Sequence, residues 1–216
     1  MQRIIVFLGP SLDRDSAEKI LAAEYRPPAR RGDIITAARD GANIIGLIDG
    51  VFHQDNAVAH REILAAVKHG IRVVGSSSMG ALRAAEMDTL GMVGIGKVYT
   101  MYKSGELESD DEVALVFDPD TGYSLSEPLI NIRFTLKKAL SEGIIDQTAH
   151  RILLNAARSI FYPNRTYPAI ASFAADSLDG AVLQRFLSWV NTNGCDQKRE
   201  DAVEALEYIR GLAETG

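Results

Sequence analysis

The chain has 216 residues, of which 46% are hydrophobic and 24% charged, and its formal net charge is −6. This composition is ordinary for a globular protein, and the acidic balance argues against general binding to nucleic acid or to an anionic membrane. A single cysteine, Cys195, and the lack of zinc-type Cys/His spacing predict neither a disulfide framework nor a metal site.

The first residues contain an apolar stretch that is too short for a secretory signal peptide, and no window approaches the length of a membrane span. We therefore expect a cytoplasmic protein without a membrane partner.

Short apolar runs rich in β-branched residues alternate with helix-like segments in the first half of the chain. The runs cover residues 3–8, 44–49 and 71–75. Their nearly continuous apolar character is typical of strands buried in a parallel sheet. Helical spacing is found in residues 13–24, 32–41, 56–69 and 78–90. This alternation predicts an α/β fold with a parallel-sheet, Rossmann-like core of three layers.

The pattern changes from about residue 94. Residues 113–117 and 123–132 are predicted to pair as a β-hairpin around the turn-forming residues 118–122, with Pro128 at an edge position. The glycines of residues 91–96 follow a helix rather than a strand, so they do not form a dinucleotide-binding fingerprint.

Helical spacing dominates the remainder of the chain. It is found in residues 131–141, 146–161, 169–191 and 197–213. We therefore predict an α/β core over residues 1–130, with the hairpin as an insertion, and a helical C-terminal subdomain over residues 131–216 that packs on the core.

The turns that follow the predicted strands are the expected location of a functional site. Because the carboxyl ends of parallel strands meet at one edge of the sheet, residues 9–11, 49–53 and 76–78 should lie along one rim. The last of these turns holds three consecutive serines between a strand and a helix. A helix start of this kind suits a phosphate, a carboxylate or an oxyanion.

The spacing Ser76-x-Ser78-x-Gly80 is typical of a nucleophile elbow, with serine in place of the usual first glycine. It predicts that Ser78 carries the reactive hydroxyl. The alternative is that the serine only caps the helix, which is the commonest role of a serine at that position.

A serine nucleophile needs a base that accepts its proton. His60 would lie on a helix stripe facing the sheet, and His53 lies in the turn after the second strand. We favour His60 as the base, against the alternative of a structural histidine. The carboxylate that orients the base is Asp49, or else Asp111 and Glu112 if the acidic segment folds over the rim. The alternative role of Asp49 is to cap the following turn.

Donors to an oxyanion or a bound anion are expected from the start of the helix and from the first turn. Arg83 has an alternative role as a surface partner of Glu86. The candidates are Met79, Gly80, Gly9, Ser11, Ser77 and Arg83. Asn131 and Arg133 are further candidates for binding a substrate anion, with helix capping and surface exposure as their plainer roles.

Several segments together resemble the TfuA family, over about residues 3–140. They are residues 4–12, 47–52, 60–64, 75–86, 91–96 and 110–114. The resemblance implies a partner of YcaO-type, ATP-dependent enzymes in backbone thioamide formation on a ribosomal peptide or on a protein substrate. The chain has no ATP motif, so no cofactor is expected in it.

The elbow adds a hypothesis about sulfur delivery. Ser78 would attack the thiocarboxylate of a small sulfur-carrier protein, release sulfide beside YcaO and be regenerated by water. The alternative is a docking module that binds YcaO and its peptide and stimulates the enzyme allosterically, with the serine turn holding an anion.

Overall fold

The structure, a computed structural model, describes residues 2–52, 56–118 and 121–215. The chain divides into two compact units: a sheet unit of residues 1–110 and 198–216, and a helical unit of residues 111–197. The division into domains at residue 130 stays a prediction.

The sheet unit alternates strands and helices along its first part. Its elements are β1 (Ile4–Phe7), α1 (Arg14–Ile20), β2 (Glu24–Arg26), α2 (Asp33–Arg39), β3 (Ile44–Leu47), α3 (His60–Lys68), β4 (Arg72–Ser76), α4 (Met79–Met87), β5 (Val93–Ile95), α5 (Lys97–Lys103) and, from the end of the chain, α10 (Gln197–Thr215). The predicted alternation is confirmed, with helices shorter than expected at their ends.

The five strands form one parallel sheet in the order β2-β1-β3-β4-β5. Successive side chains of β1 point to opposite faces, as in any strand. Ile5 and Phe7 enter a core packed by α2, α3 and α4, whereas Ile4 and Val6 enter a core packed by α1 and α10. The three-layer α/β prediction is therefore confirmed.

The order of the strands locates a crevice at the carboxyl edge. From the neighbouring strands β1 and β3 the chain continues in opposite directions along the sheet, to β2 and to β4. Such a reversal is where ligands bind in open α/β sheets. Residues 8–11 and 48–50 leave the sheet at this point.

The last helix returns to the sheet. Ala202, Leu206 and Ile209 of α10 are fully buried in the core on the α1 side of the sheet. The buried Asp201 carboxylate accepts a hydrogen bond of 2.7 Å from the Val98 N–H at the start of α5. The final helix is therefore part of the layer that covers one face of the strands.

The helical unit has a core of its own. Its helices are α6 (Leu129–Ser141), α7 (Gln147–Ser159), α8 (Tyr167–Phe173) and α9 (Gly180–Asn193). Leu136, Leu153 and Phe186 are fully buried in this core. Arg165 is also buried, and its guanidinium bonds to the Asp111 carboxylate at 2.6 Å and to the carbonyls at the end of α7.

Across the described residues 113–118 and 121–132, the predicted hairpin is represented by one antiparallel bridge, between Phe117 and Ser124. Residues 129–132, predicted to belong to the second strand, instead form the first turn of α6, which begins at Leu129 with Pro128 at its N-cap. Pro128 has a fixed φ suited to the start of a helix.

Helix α4 lies against the strands with no room for side chains at two glycines. A Cβ at Gly80 would lie 1.7 Å from the Leu47 carbonyl oxygen, and a Cβ at Gly75 would lie 2.2 Å from the Gly80 carbonyl oxygen. Both contacts are with backbone atoms, which cannot move aside separately. The glycines therefore fix the position of the serine turn between them.

We predict that Gly80→Ala destabilises the protein by about 3 kcal/mol, because the added methyl group forces α4 away from β3. The matched control is Gly211→Ala in α10, where a Cβ meets nothing within 4 Å. Helix propensity alone should raise the stability of the control by about 1 kcal/mol. Urea unfolding of both variants measures the difference, and equal stabilities would contradict the packing argument.

Candidate functional site

The chain makes a sharp, strained turn between β4 and α4. Ser77 has a φ of 63°, the one positive φ of a non-glycine residue in the described ranges. The Ser78 N–H donates to the Ser76 carbonyl at 2.7 Å, which closes a γ-turn around Ser77. This form of γ-turn is rare, and its backbone costs about 1–3 kcal/mol. The elbow predicted from the serine spacing therefore has a strained backbone.

A network of Ser11, Ser77 and Asp49 holds this turn from one side. Asp49 Oδ1 accepts from the Ser11 hydroxyl at 2.7 Å, and Ser77 Oγ lies 2.9 Å from Ser11 Oγ. Asp49 Oδ2 accepts from the N–H groups of Gly9 at 2.9 Å and Ser11 at 3.1 Å. We call these three side chains the serine–aspartate network.

The hydrogen bonds of this network differ from the roles predicted for the same residues. Asp49, predicted to orient a histidine, instead binds the turn that follows β1. The Gly9 and Ser11 N–H groups, predicted to face an anion, point at this carboxylate. Ser77 Oγ also lies 2.8 Å from the Lys198 carbonyl, so it is enclosed on both sides.

Ser78 differs from its two neighbours. It stands at the N-cap of α4, yet its side chain makes no capping bond. Among the described residues its hydroxyl has no hydrogen-bond partner, while Ser76 and Ser77 both have partners. Gln2 Oε1 is the one polar side-chain atom of the described chain that is sealed from solvent without a partner. The Ser78 oxygen, in a residue only 2% exposed, therefore keeps contact with solvent.

Two backbone N–H groups at the start of α4 also differ in their hydrogen bonding. The Gly80 N–H donates to the Ile48 carbonyl at 3.2 Å, so it is engaged within the protein. The Met79 N–H makes no hydrogen bond within the described ranges. An unpaired hydroxyl and an unpaired N–H thus lie on adjacent residues, where the helix dipole favours negative charge.

A second group of predicted residues lies in a cleft of about 520 Å³ beside α3 and α4. His60 Nε2 lies 2.8 Å from the Glu86 carboxylate, and Arg83 bonds to the same oxygen at 2.6 Å. Arg83 also donates to the Val58 carbonyl at 3.0 Å. The lining residues are Arg31, Phe52, Ala57, Val58, Ala59, His60, Met79, Leu82, Arg83, Glu86, Glu108, Ser109 and Asp110.

His60 therefore does not face the sheet as predicted. Helix α3 begins at His60, so this residue belongs to the first turn, and its side chain is 52% exposed and turned toward α4. No hydrogen bond joins it to Ser78 within the described residues. His53, the other candidate base, lies outside the described residues.

Two acidic residues have roles that the sequence reasoning missed. The predicted ion pair between Arg83 and Glu86 is confirmed. The additional contact of Glu86 with His60 was not predicted. The buried Glu62 accepts from the Gly32 N–H at 2.7 Å and from the Ala59 N–H at 3.3 Å, which joins the start of α3 to the start of α2. Glu62 makes the carboxylate half of a capping box, whereas Ala59 has no side-chain acceptor for the other half, so the sequence carries no capping-box signal here.

The polar candidates of the helical unit are paired inside it. Arg133 bonds to both oxygens of Glu112, at 2.8 and 2.6 Å. Asn131 donates to the Asp196 carboxylate at 3.0 Å.

Burial raises the pKa of the Glu127 carboxyl, and the nearby charge of Asp196 raises it further.

We predict that Glu127→Gln stabilises the protein at pH 7. Near pH 4 the carboxyl is protonated in the folded and the unfolded chain, so the substitution changes little. As the pH rises, the carboxyl of the unfolded chain ionises first, because the pKa of Glu127 in the folded protein lies above the ordinary value of 4.5.

Urea titrations of both proteins between pH 4 and pH 8 measure this difference. The same substitution at the exposed Glu207 is the control. An advantage of Glu127→Gln that is the same at all pH values would contradict the account.

The chain matches a known protein family. A family model described as TfuA-like protein matches residues 49–166, more than half of the chain. No protein of curated function matches it. Across residues 2–52, 56–118 and 121–215, no helix combines the length and the apolar character needed to cross a membrane.

Proposed function

Since the chain belongs to the TfuA-like family, we propose that it is an accessory protein that delivers sulfur for YcaO-dependent thioamide formation on a ribosomal peptide or protein. In this proposal it is a serine-hydrolase-like enzyme that releases sulfide from a thiocarboxylated sulfur-carrier protein. The observation that carries the proposal is the unpaired Ser78 hydroxyl beside the unpaired Met79 N–H at the start of α4.

The proposed reaction has two steps. Ser78 Oγ attacks the thiocarboxylate carbon, a base transfers the serine proton to the departing sulfur, and the C–S bond breaks to leave an acyl-serine and hydrosulfide. Water then attacks the ester and returns the serine, with a carboxylate on the carrier. The Met79 N–H is positioned to donate to the oxyanion of each tetrahedral intermediate, as the residue after the nucleophile does in elbow enzymes.

The burial of Ser78 favours a narrow substrate. A hydroxyl in a residue that is 2% exposed is reached by the end of an extended chain and not by a folded surface. A terminal thiocarboxylate on a carrier protein has that shape. Its negative charge is also stabilised at the positive end of α4.

We predict that Ser78→Ala reduces sulfide release from a thiocarboxylated carrier at least about a thousandfold, because the nucleophile is lost. Binding to YcaO should be unchanged. Sulfide release is measured by a chromogenic assay and binding by calorimetry. Ser172→Ala, at an exposed serine of α8, is the control and should keep full activity.

The base is tested by substitution of the two histidines. His60→Ala removes an exposed contact to Glu86, so its effect on stability should stay below about 1 kcal/mol. If His60 rotates from Glu86 to serve as the base, sulfide release should fall about a hundredfold or more. If His53→Ala gives that loss and His60→Ala does not, the base is His53. Full activity in both variants would contradict a histidine base.

A second candidate function is non-catalytic. The engagement of His60 by Glu86 favours a docking partner that stimulates YcaO allosterically. Under that function Ser78→Ala would leave thioamide formation unchanged when free sulfide is supplied and also when the carrier is supplied. Loss of activity with the carrier alone supports the hydrolase.

A further inference from the structure

We propose that Asp49 and Ser11 are positioning residues, which act through Ser77 to hold the γ-turn that presents Ser78 Oγ and the Met79 N–H. This inference rests on the proposed hydrolase function. It assigns roles to three buried side chains that do not touch the substrate.

The direction of the hydrogen bonds follows from the chemistry of the groups. An ionised carboxylate only accepts, so the Ser11 hydroxyl must give its hydrogen to Asp49 Oδ1. The Ser77 hydroxyl has one hydrogen and two acceptors for it, the Ser11 oxygen at 2.9 Å and the Lys198 carbonyl at 2.8 Å. Asp49 therefore fixes the orientation of the Ser11 hydroxyl, whose oxygen is left as an acceptor that faces Ser77.

Burial makes this arrangement rigid. Asp49 and Ser11 are each 2% exposed and Ser77 is fully buried, so water does not compete for the network. Asp49 also accepts from two backbone N–H groups of the turn after β1, which leaves each of its oxygens engaged. The network thus joins the turns that follow β1, β3 and β4 at the strand reversal.

The rigid network holds the γ-turn at Ser77 in its strained conformation. A non-glycine residue at a φ of 63° persists only where its surroundings hold it. The Ser77 side chain is the anchor, because it lies between Ser11 Oγ at 2.9 Å and the Lys198 carbonyl at 2.8 Å. If this anchor is lost, the peptide groups that follow Ser77 can rotate, and they carry Ser78 and the Met79 N–H.

Labelling by a fluorophosphonate tests the inference without any carrier protein. This probe reacts with an activated serine. Labelling rates at several probe concentrations give two quantities: the inactivation rate constant at saturating probe, and the probe concentration at half-saturation. We expect Ser11→Ala, Ser77→Ala and Asp49→Asn to lower the rate constant about tenfold to a hundredfold, because the attacking atom is misplaced. The half-saturation concentration should change less than about twofold.

Two further variants separate the hydroxyl anchor from backbone strain and from packing. Ser77→Gly relieves the positive φ but removes the hydroxyl, and it should react as slowly as Ser77→Ala. Ser11→Thr retains a hydroxyl and should restore most of the rate lost in Ser11→Ala. Ser172→Ala is again the control, and mass spectrometry locates the adduct on Ser78.

The outcomes are distinct. Absence of labelling in the unchanged protein would defeat the proposed hydrolase function itself. Labelling of Ser78 at equal rates in the unchanged protein, Ser11→Ala and Ser77→Gly would overturn the positioning inference alone. An adduct on Ser77 would also overturn it, because Ser77 would then be the nucleophile. If Asp49→Asn does not fold, Ser11→Ala and Ser77→Gly decide the result.

Discussion

The contact between α4 and the sheet is the constraint on which the candidate site depends. Gly80 faces the Leu47 carbonyl at a distance that excludes any Cβ, and Gly75 faces the Gly80 carbonyl in the same way. The chain must therefore pass from β4 into α4 within two residues, which only a tight turn permits. The γ-turn at Ser77 is the result. The two glycines set the helix close to the strands, and the turn between them places Ser78 at the end of the sheet.

Two polar groups surround this turn and differ in character. The serine–aspartate network is buried and joins the turns after β1, β3 and β4. The group of His60, Arg83 and Glu86 lies in an open cleft, where solvent reaches the histidine and weakens the ion pair between Arg83 and Glu86. The buried network therefore holds the turn together with the two glycines, whereas the cleft holds polar side chains that reach solvent.

The sequence predicted the parts of the fold that are governed by burial. The strands β1, β3 and β4 are buried apolar runs, so their pattern is unambiguous, whereas β2 contains Glu24 and Arg26 and β5 contains Gly94. Strands β2 and β5 lie at the two edges of the sheet, and the sequence pattern did not predict them. The serine spacing predicted the strand-to-helix turn. It did not predict the serine–aspartate network, which depends on the meeting of atoms 38 and 66 residues apart along the chain. The direction of His60 was wrong because α3 begins four residues later than its sequence pattern indicated.

The central claim is that the Ser78 hydroxyl forms a covalent bond with the carrier. Rapid-quench mass spectrometry of a single turnover, with the carrier thiocarboxylate in place, measures this most directly. The account predicts an ester that joins the carrier to Ser78, formed together with sulfide and before free carboxylate. Release of sulfide with no ester at any time, or an ester at another residue, would contradict it.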